Sequence, residues 1–347
     1  MKRKTILIGI LTLVLFVTSF LRLDVLAQMP KTEIYKGMCD ASAAVAFDKN
    51  IFIVANDEDN DLRIFERNKP DVLQFLKLSE IFTGKILDGK KHEIDIEGAA
   101  QLGDKIFWIG SHSTNKDGEF RTDRHRLFAI QVKRGTDGKF NASPVGGIYS
   151  ALISDLEKDS RFNAFKLKDA MAIAPKNIGG LSIEGLAATP DGALLIGFRN
   201  PLRGGQTVNG FLVGGKALIV KLLNPLEVIK GKTAKFDAPI ELELDGFGIR
   251  SLEYYAPKKM YVIVAGAYHE NEETPTHKRE ISRLYTWSGN QNDVPKLLKK
   301  VDLTGLNIEA AFFFPQMKNS VELFSDDGKS KVCTDITETF RGLLQKF

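Results

Sequence analysis

The sequence predicts an all-β fold, a five-bladed β-propeller with a short helical insertion, from three observations. First, one pattern recurs along the chain: a keyed acid or serine, a run of tiny residues, a polar turn, then a short apolar strand. Second, the copies are 55, 87, 67 and 58 residues apart when keyed on Ser42, Glu97, Glu184, Ser251 and Glu309. Repeats of that period denote an array or a ring. Third, 347 residues with 43% hydrophobic content give a sizeable core, and no break in composition marks a domain boundary. The expected organisation is a leader over 1–27 and one propeller domain over 28–347.

The leader has a basic start, Lys2-Arg3-Lys4, an apolar stretch from Thr5 to Phe20, and Val25-Leu26-Ala27 before Gln28. This is the form of a cleaved signal peptide, and the apolar run is short for a membrane span. The expected location is therefore secreted or periplasmic, with no stable membrane anchor. Most of the formal charge of +4 sits in this leader. The remainder is nearly neutral, and nothing in it suggests a nucleic-acid partner, which would need a basic face.

In chain order, Asp40-Ala41-Ser42-Ala43-Ala44 leads to the strand Ile51 to Ala55, followed by strands over Asp61 to Arg67 and Asp71 to Leu78. Ile96-Glu97-Gly98-Ala99-Ala100 leads to Ile106 to Gly110, then Arg124 to Val132 and a strand near Gly147 to Leu152. The helix-forming segment Ser154 to Ala174 accounts for the long second spacing as an insertion, or hides a sixth blade. The third blade runs through Glu184 to Gly197, Lys216 to Leu223 and Pro239 to Leu244. The fourth takes Arg250-Ser251-Leu252-Glu253, Tyr261 to Ala265, Ile281 to Ser288 and Lys296 to Leu303. The fifth has Asn307 to Phe312, Val321 to Ser325 and a strand at about Ser330 to Asp335, and borrows its last strand from Lys31 to Lys36. Such closure leaves no free sheet edge. It also makes Cys39 and Cys333 neighbours, and an exported chain can keep them as a disulfide.

The keyed residues begin the innermost strands, and each hairpin returns the chain to the same level, so Asp57, His112, Arg199 and Asp326 come back beside them at one channel mouth. Glutamates converging on an axis repel unless a cation sits among them. Ca²⁺, which takes six to eight oxygen ligands in flexible geometry, fits Ser42, Glu97, Glu184, Ser251 and Glu309 as a ligand set. A water-filled channel in which Glu97, Glu184 and Glu309 pair with Arg199 or Arg250 is the alternative. The acidic turns Asp57 to Asp61 and Ser325 to Gly328 read as solvated, and His269 and His277 show no metal spacing. No Gly-x-Ser-x-Gly elbow, P-loop or His-Glu-x-x-His occurs.

The motifs at Cys39 to Ala44, Asp95 to Ala100, Arg124 to Ala129 and Ile183 to Ala187 through Pro201 resemble a bacterial family catalogued as a domain of unknown function. The order Ser, Glu, Glu, Ser, Glu resembles the channel of the calcium-activated nucleotidases, five-bladed apyrases, and implies calcium held by those residues. Glu184 to Gly197 is similar to the esterase-like phytase family.

Three functions compete on these expectations. One is a metal-dependent phosphoester or phosphoanhydride hydrolase acting on a small phosphorylated substrate, with phosphate bound by Arg199, Arg250 and His112. Another is a lactonase or carboxylesterase in which Asp57 or Asp326 is the base. The third is a non-catalytic ligand-binding module with structural calcium.

Overall fold

The computed structural model describes residues 31–82, 93–208, 211–269, 282–328, 333–334 and 337–347. The leader, His277 and most of the strand expected over 330–335 lie outside these residues.

Five antiparallel four-stranded sheets form the blades. The first is Ala41–Ala46, Ile51–Asn56, Asp61–Glu66 and Gln74–Lys77; the second is Ile96–Leu102, Lys105–Gly110, Leu127–Arg134 and Phe140–Pro144. The third is Ser182–Ala188, Leu194–Asn200, Lys216–Leu222 and Ile240–Glu243; the fourth is Gly248–Tyr255, Met260–Gly266, Ser282–Trp287 and Lys296–Leu297. The fifth orders Ile308–Phe312, Ser320–Ser325, Thr339–Lys346 and, from the other end of the chain, Glu33–Lys36. Each innermost strand packs between two others, which closes the ring.

Tiny residues are required where the innermost strands meet. A Cβ on Gly98 would lie 2.9 Å from that of Leu186 in the next blade, and one on Gly185 would lie 2.8 Å from Ile249 Cγ2 in the blade after. The second strands Ile51–Asn56 and Leu194–Asn200 are buried throughout because neighbouring blades cover both faces.

Three strand expectations need correction. The third strand of the fifth blade is Thr339–Lys346, while Cys333 and Thr334 carry no strand. Thr339–Lys346 pairs with Ser320–Ser325 on one side and Glu33–Lys36 on the other, with Tyr35 opposite Phe340. The outer strand of the second blade is Phe140–Pro144, because the turn at Asp137-Gly138 (Gly138 φ 82°) returns the chain sooner than expected. Past it, Tyr149 makes only an isolated bridge with Leu127, and Leu152 already opens a helix. In the fourth blade the outer strand is just Lys296–Leu297.

The insertion is Leu152–Glu157, a 3-10 segment Ser160–Phe165 and Leu167–Ala170, whose Leu152, Leu156, Phe162 and Leu167 pack on the second and third blades. It hides no sixth blade. At the closure, Tyr35 stacks on Phe340 with centroids 5.3 Å apart and meets Phe52 edge-on at 5.3 Å. Cys39 and Cys333 form the expected disulfide, Cα to Cα 5.7 Å, across 294 residues of sequence.

Candidate functional site

Every innermost strand carries a register shift near its start. The skipped residues are Ser42, Glu97, Glu184, Arg250 and Glu309. A bulge leaves one residue out of the ladder and re-aims its side chain, so these five positions are the structural equivalents around the channel. The fourth is Arg250 and not Ser251. The hairpin after Arg250 is longer than those of the first three blades, which moved the sequence register by one residue.

The two serines stitch blades together. Ser42 Oγ donates to Ile96 O of the second blade at 2.5 Å. Ser251 Oγ accepts from Ala311 N of the fifth blade at 3.1 Å. Both hydroxyls are committed to backbone, which places them apart from the carboxylates as candidate ligands.

The carboxylates divide into two groups. In the first, Arg199 Nη1 donates to Glu184 Oε1 at 2.7 Å and Ser182 Oγ donates to the same oxygen at 3.1 Å. Arg250 lies between Glu184 and Glu309, its Nε 3.5 Å from Glu184 Oε2 and its Nη2 in contact with Glu309 Oε1. Asn307 Nδ2 completes the cluster by donating to Glu309 Oε1 at 3.1 Å and to Asp326 Oδ2 at 2.9 Å. Burial alone would lift the Glu184 carboxyl, but Arg199 and Arg250 outweigh it and hold that carboxyl below its ordinary value.

The second group is Asp57, Asp95 and Glu97, each offering an oxygen within 4.8 Å of the others'. Asp57 follows the second strand of the first blade, Asp95 precedes the innermost strand of the second, and Glu97 is its bulge. Arg124 Nη1 contacts Asp95 Oδ2 at 2.8 Å, but no cationic side chain among the described residues pairs with Asp57 or Glu97. Asp57 Oδ1 is buried without a hydrogen-bond partner. Burial, then Asp95, Asp326 and Asp40, push the Asp57 carboxyl well up. Burial, then Glu184, Asp95 and Asp57, do the same to Glu97. The three carboxylate oxygens are of the type that a hard divalent cation takes as ligands. Asp95 was missed as a site residue by sequence reasoning; its place two residues before a keyed glutamate was the available signal.

The predicted phosphate-binding residues do not form an open cationic cradle. Arg199 and Arg250 are turned onto Glu184 and Glu309 with 5–6% of their side chains exposed. His112 is fully buried, its Nδ1 2.9 Å from Gly110 O and its ring 5.2 Å from that of His125. Asp326, proposed as a base, accepts from Asn307 and stands across a bridge from Asp40. In the acidic turns Asp59 pairs with Arg63 and Asp327 with Arg341, each at 2.5 Å. His269 packs on Tyr268.

The buried histidine pair sets an acid limit on stability. Burial first, and then neighbouring cationic groups, pull His112 down to about 3 and His125 down to about 4. Above the ordinary histidine range neither state binds a proton at these sites. Below about pH 6.5 the unfolded chain takes up protons that the folded chain refuses, so stability is lost as pH falls toward these depressed values. His125→Phe should flatten the loss between about pH 6.5 and 4 in urea titrations; an unchanged slope would contradict this assignment.

No curated protein matches the chain. Among solved structures it is similar to the luciferin-regenerating enzyme at TM-score 0.42 and 10% identity, over 91% of this chain and 98% of that one. It is also similar to Myxococcus xanthus glutaminyl cyclase at TM-score 0.40 and 11% identity, over 91% and 95%. The PQQ-bound aldose sugar dehydrogenase of Streptomyces coelicolor gives TM-score 0.40 and 8% identity, over 91% and 100%. The sequence matches the family described as "Protein of unknown function (DUF3616)" over residues 40–143 and 129–304, and the chain belongs to that family.

Proposed function

We propose that this protein is an extracytoplasmic cation-binding propeller whose ion, Ca²⁺, is held by Asp57, Asp95 and Glu97. The observation that carries this reading is the buried Asp57 Oδ1 without a partner, in a cluster whose three carboxylates, Asp57, Asp95 and Glu97, have one paired cation, Arg124, on Asp95. Arg124 also donates to Glu93 Oε1 at 2.5 Å and to Ser113 Oγ at 3.0 Å, so it orients Asp95 as part of a fixed network. The leader and the disulfide support the location. Among the described residues no helix is long and apolar enough to cross a membrane.

A bound Ca²⁺ supplies Lewis-acid polarisation of a phosphoryl or carbonyl oxygen. The likeness of Glu184 to Gly197 to esterase-like phytases favours phosphoester or phosphoanhydride hydrolysis of a small substrate; the nucleotidase pattern loses its fourth member, since Arg250 and not Ser251 is the bulge residue. In that case the arginines act as counter-ions to Glu184 and Glu309, and phosphate is left to the cation. Two experiments test the proposal. At about 100 times its dissociation constant a ligand adds roughly 2.7 kcal/mol. Chelator should therefore lower the melting temperature of the wild type and hardly move that of Glu97→Gln; equal shifts would refute the site. Calcium-dependent turnover of nucleotides, phytate or aryl phosphates would support the hydrolase, and turnover of a lactone alone would transfer the assignment to the carbonyl reading. Binding without turnover would leave a ligand-binding module.

A further inference from the structure

The guanidinium of Arg250 occupies a position that elsewhere in the ring holds an oxygen. Four of the five bulge residues are Ser or Glu, and the fifth is an arginine with 5% of its side chain exposed. It touches the carboxylates of the bulge residues on both neighbouring blades, Glu184 and Glu309. Its engagement is incomplete: Arg250 Nε and Glu184 Oε2 are both buried without a hydrogen bond, 3.5 Å apart. Glu184 itself is only 3% exposed. A dedicated guanidinium and carboxylate pair normally closes as a bidentate fork. Here the cation is placed by the bulge, and the carboxylates converge on it as they would on an ion.

We infer that Arg250 is a tethered cation standing in for a second metal ion, so that the channel takes one divalent cation, at Asp57, Asp95 and Glu97, and not two. The inference rests on the proposed calcium site. It assigns Arg250 a specificity role: the charge on the Glu184 and Glu309 side is answered from within the chain and needs no solute.

Counting bound calcium by equilibrium dialysis separates the two ideas. Wild type should bind one ion per chain. Arg250→Gln frees Glu184 Oε2 and Glu309 and adds an amide oxygen, so it should bind two. Arg250→Lys keeps the charge and should bind one. The double variant Arg250→Gln, Glu309→Gln should also return to one. A folded Arg250→Gln protein that binds only one ion, with wild type at one, overturns the inference and spares the proposed site. An Arg250→Gln protein that stays unfolded in millimolar calcium also overturns it, because the solute ion then fails to replace the guanidinium. Zero ions in wild type and one in Arg250→Gln would remove the proposed site and uphold the tethered cation. Zero in both removes both.

Discussion

Arg250→Met in calcium-free buffer is expected to destabilise the protein by about 3–5 kcal/mol, the usual consequence of removing one partner from a buried ion pair. The arginine faces two carboxylates, Glu184 and Glu309, with side chains 4% and 10% exposed. Without it Glu184 keeps Arg199 and the hydroxyl of Ser182, and Glu309 keeps the amide of Asn307. The loss should be read as a lower denaturation midpoint in urea. Adding Glu309→Gln to the variant should recover part of it, since the second change removes the charge that the first left uncompensated. A cost below about 1 kcal/mol, with no recovery in the double variant, would show that the ring does not depend on this cation.

Opening the disulfide is the second large effect. Cys39→Ser should cost about 2–5 kcal/mol, because the bond closes a loop of 294 residues and so restricts the unfolded chain strongly. The variant should still fold. Ring closure is also held by the pairing of Glu33–Lys36 with Thr339–Lys346 and by the packing of Tyr35, Phe52, Phe65, Phe324 and Phe340. The expected signature is a lower urea midpoint with a steeper slope than the oxidised wild type, because the opened unfolded chain exposes more surface, and both should match reduced wild type. A variant as stable as the oxidised wild type would contradict the entropic account.

The ring was legible because inner propeller strands impose a composition that sequence records. Gly98 and Gly185 must be small, and Ile106 to Ile109 must be apolar on both faces. The chain ends were legible in part. Cys39 and Cys333 signalled closure and Lys31 to Lys36 was read as the borrowed strand, but the third strand of that blade was placed on 330–335 when Thr339–Lys346 forms it. In the site, Glu97, Glu184 and Glu309 were visible as keyed acids, and Asp57 as a residue returning beside them. What was hidden is how charges sort themselves. Arg250 and Ser251 are adjacent, and only the bulge in the ladder shows which of them faces the channel. The pairing of Arg199 and Arg250 with Glu184 and Glu309 was the sequence's alternative to a metal among those acids, whereas residue type could not show that His112 faces His125 in the interior. These outcomes depend on contacts between blades far apart in sequence.

The most direct measurement of the central claim is anomalous diffraction from crystals grown with a lanthanide in place of calcium, compared with crystals grown in chelator. The account predicts one strong peak within about 2.3–2.6 Å of oxygens from Asp57, Asp95 and Glu97, absent in the chelated crystals. A peak between Glu184 and Glu309 instead, or no peak in the channel at saturating metal, would contradict it.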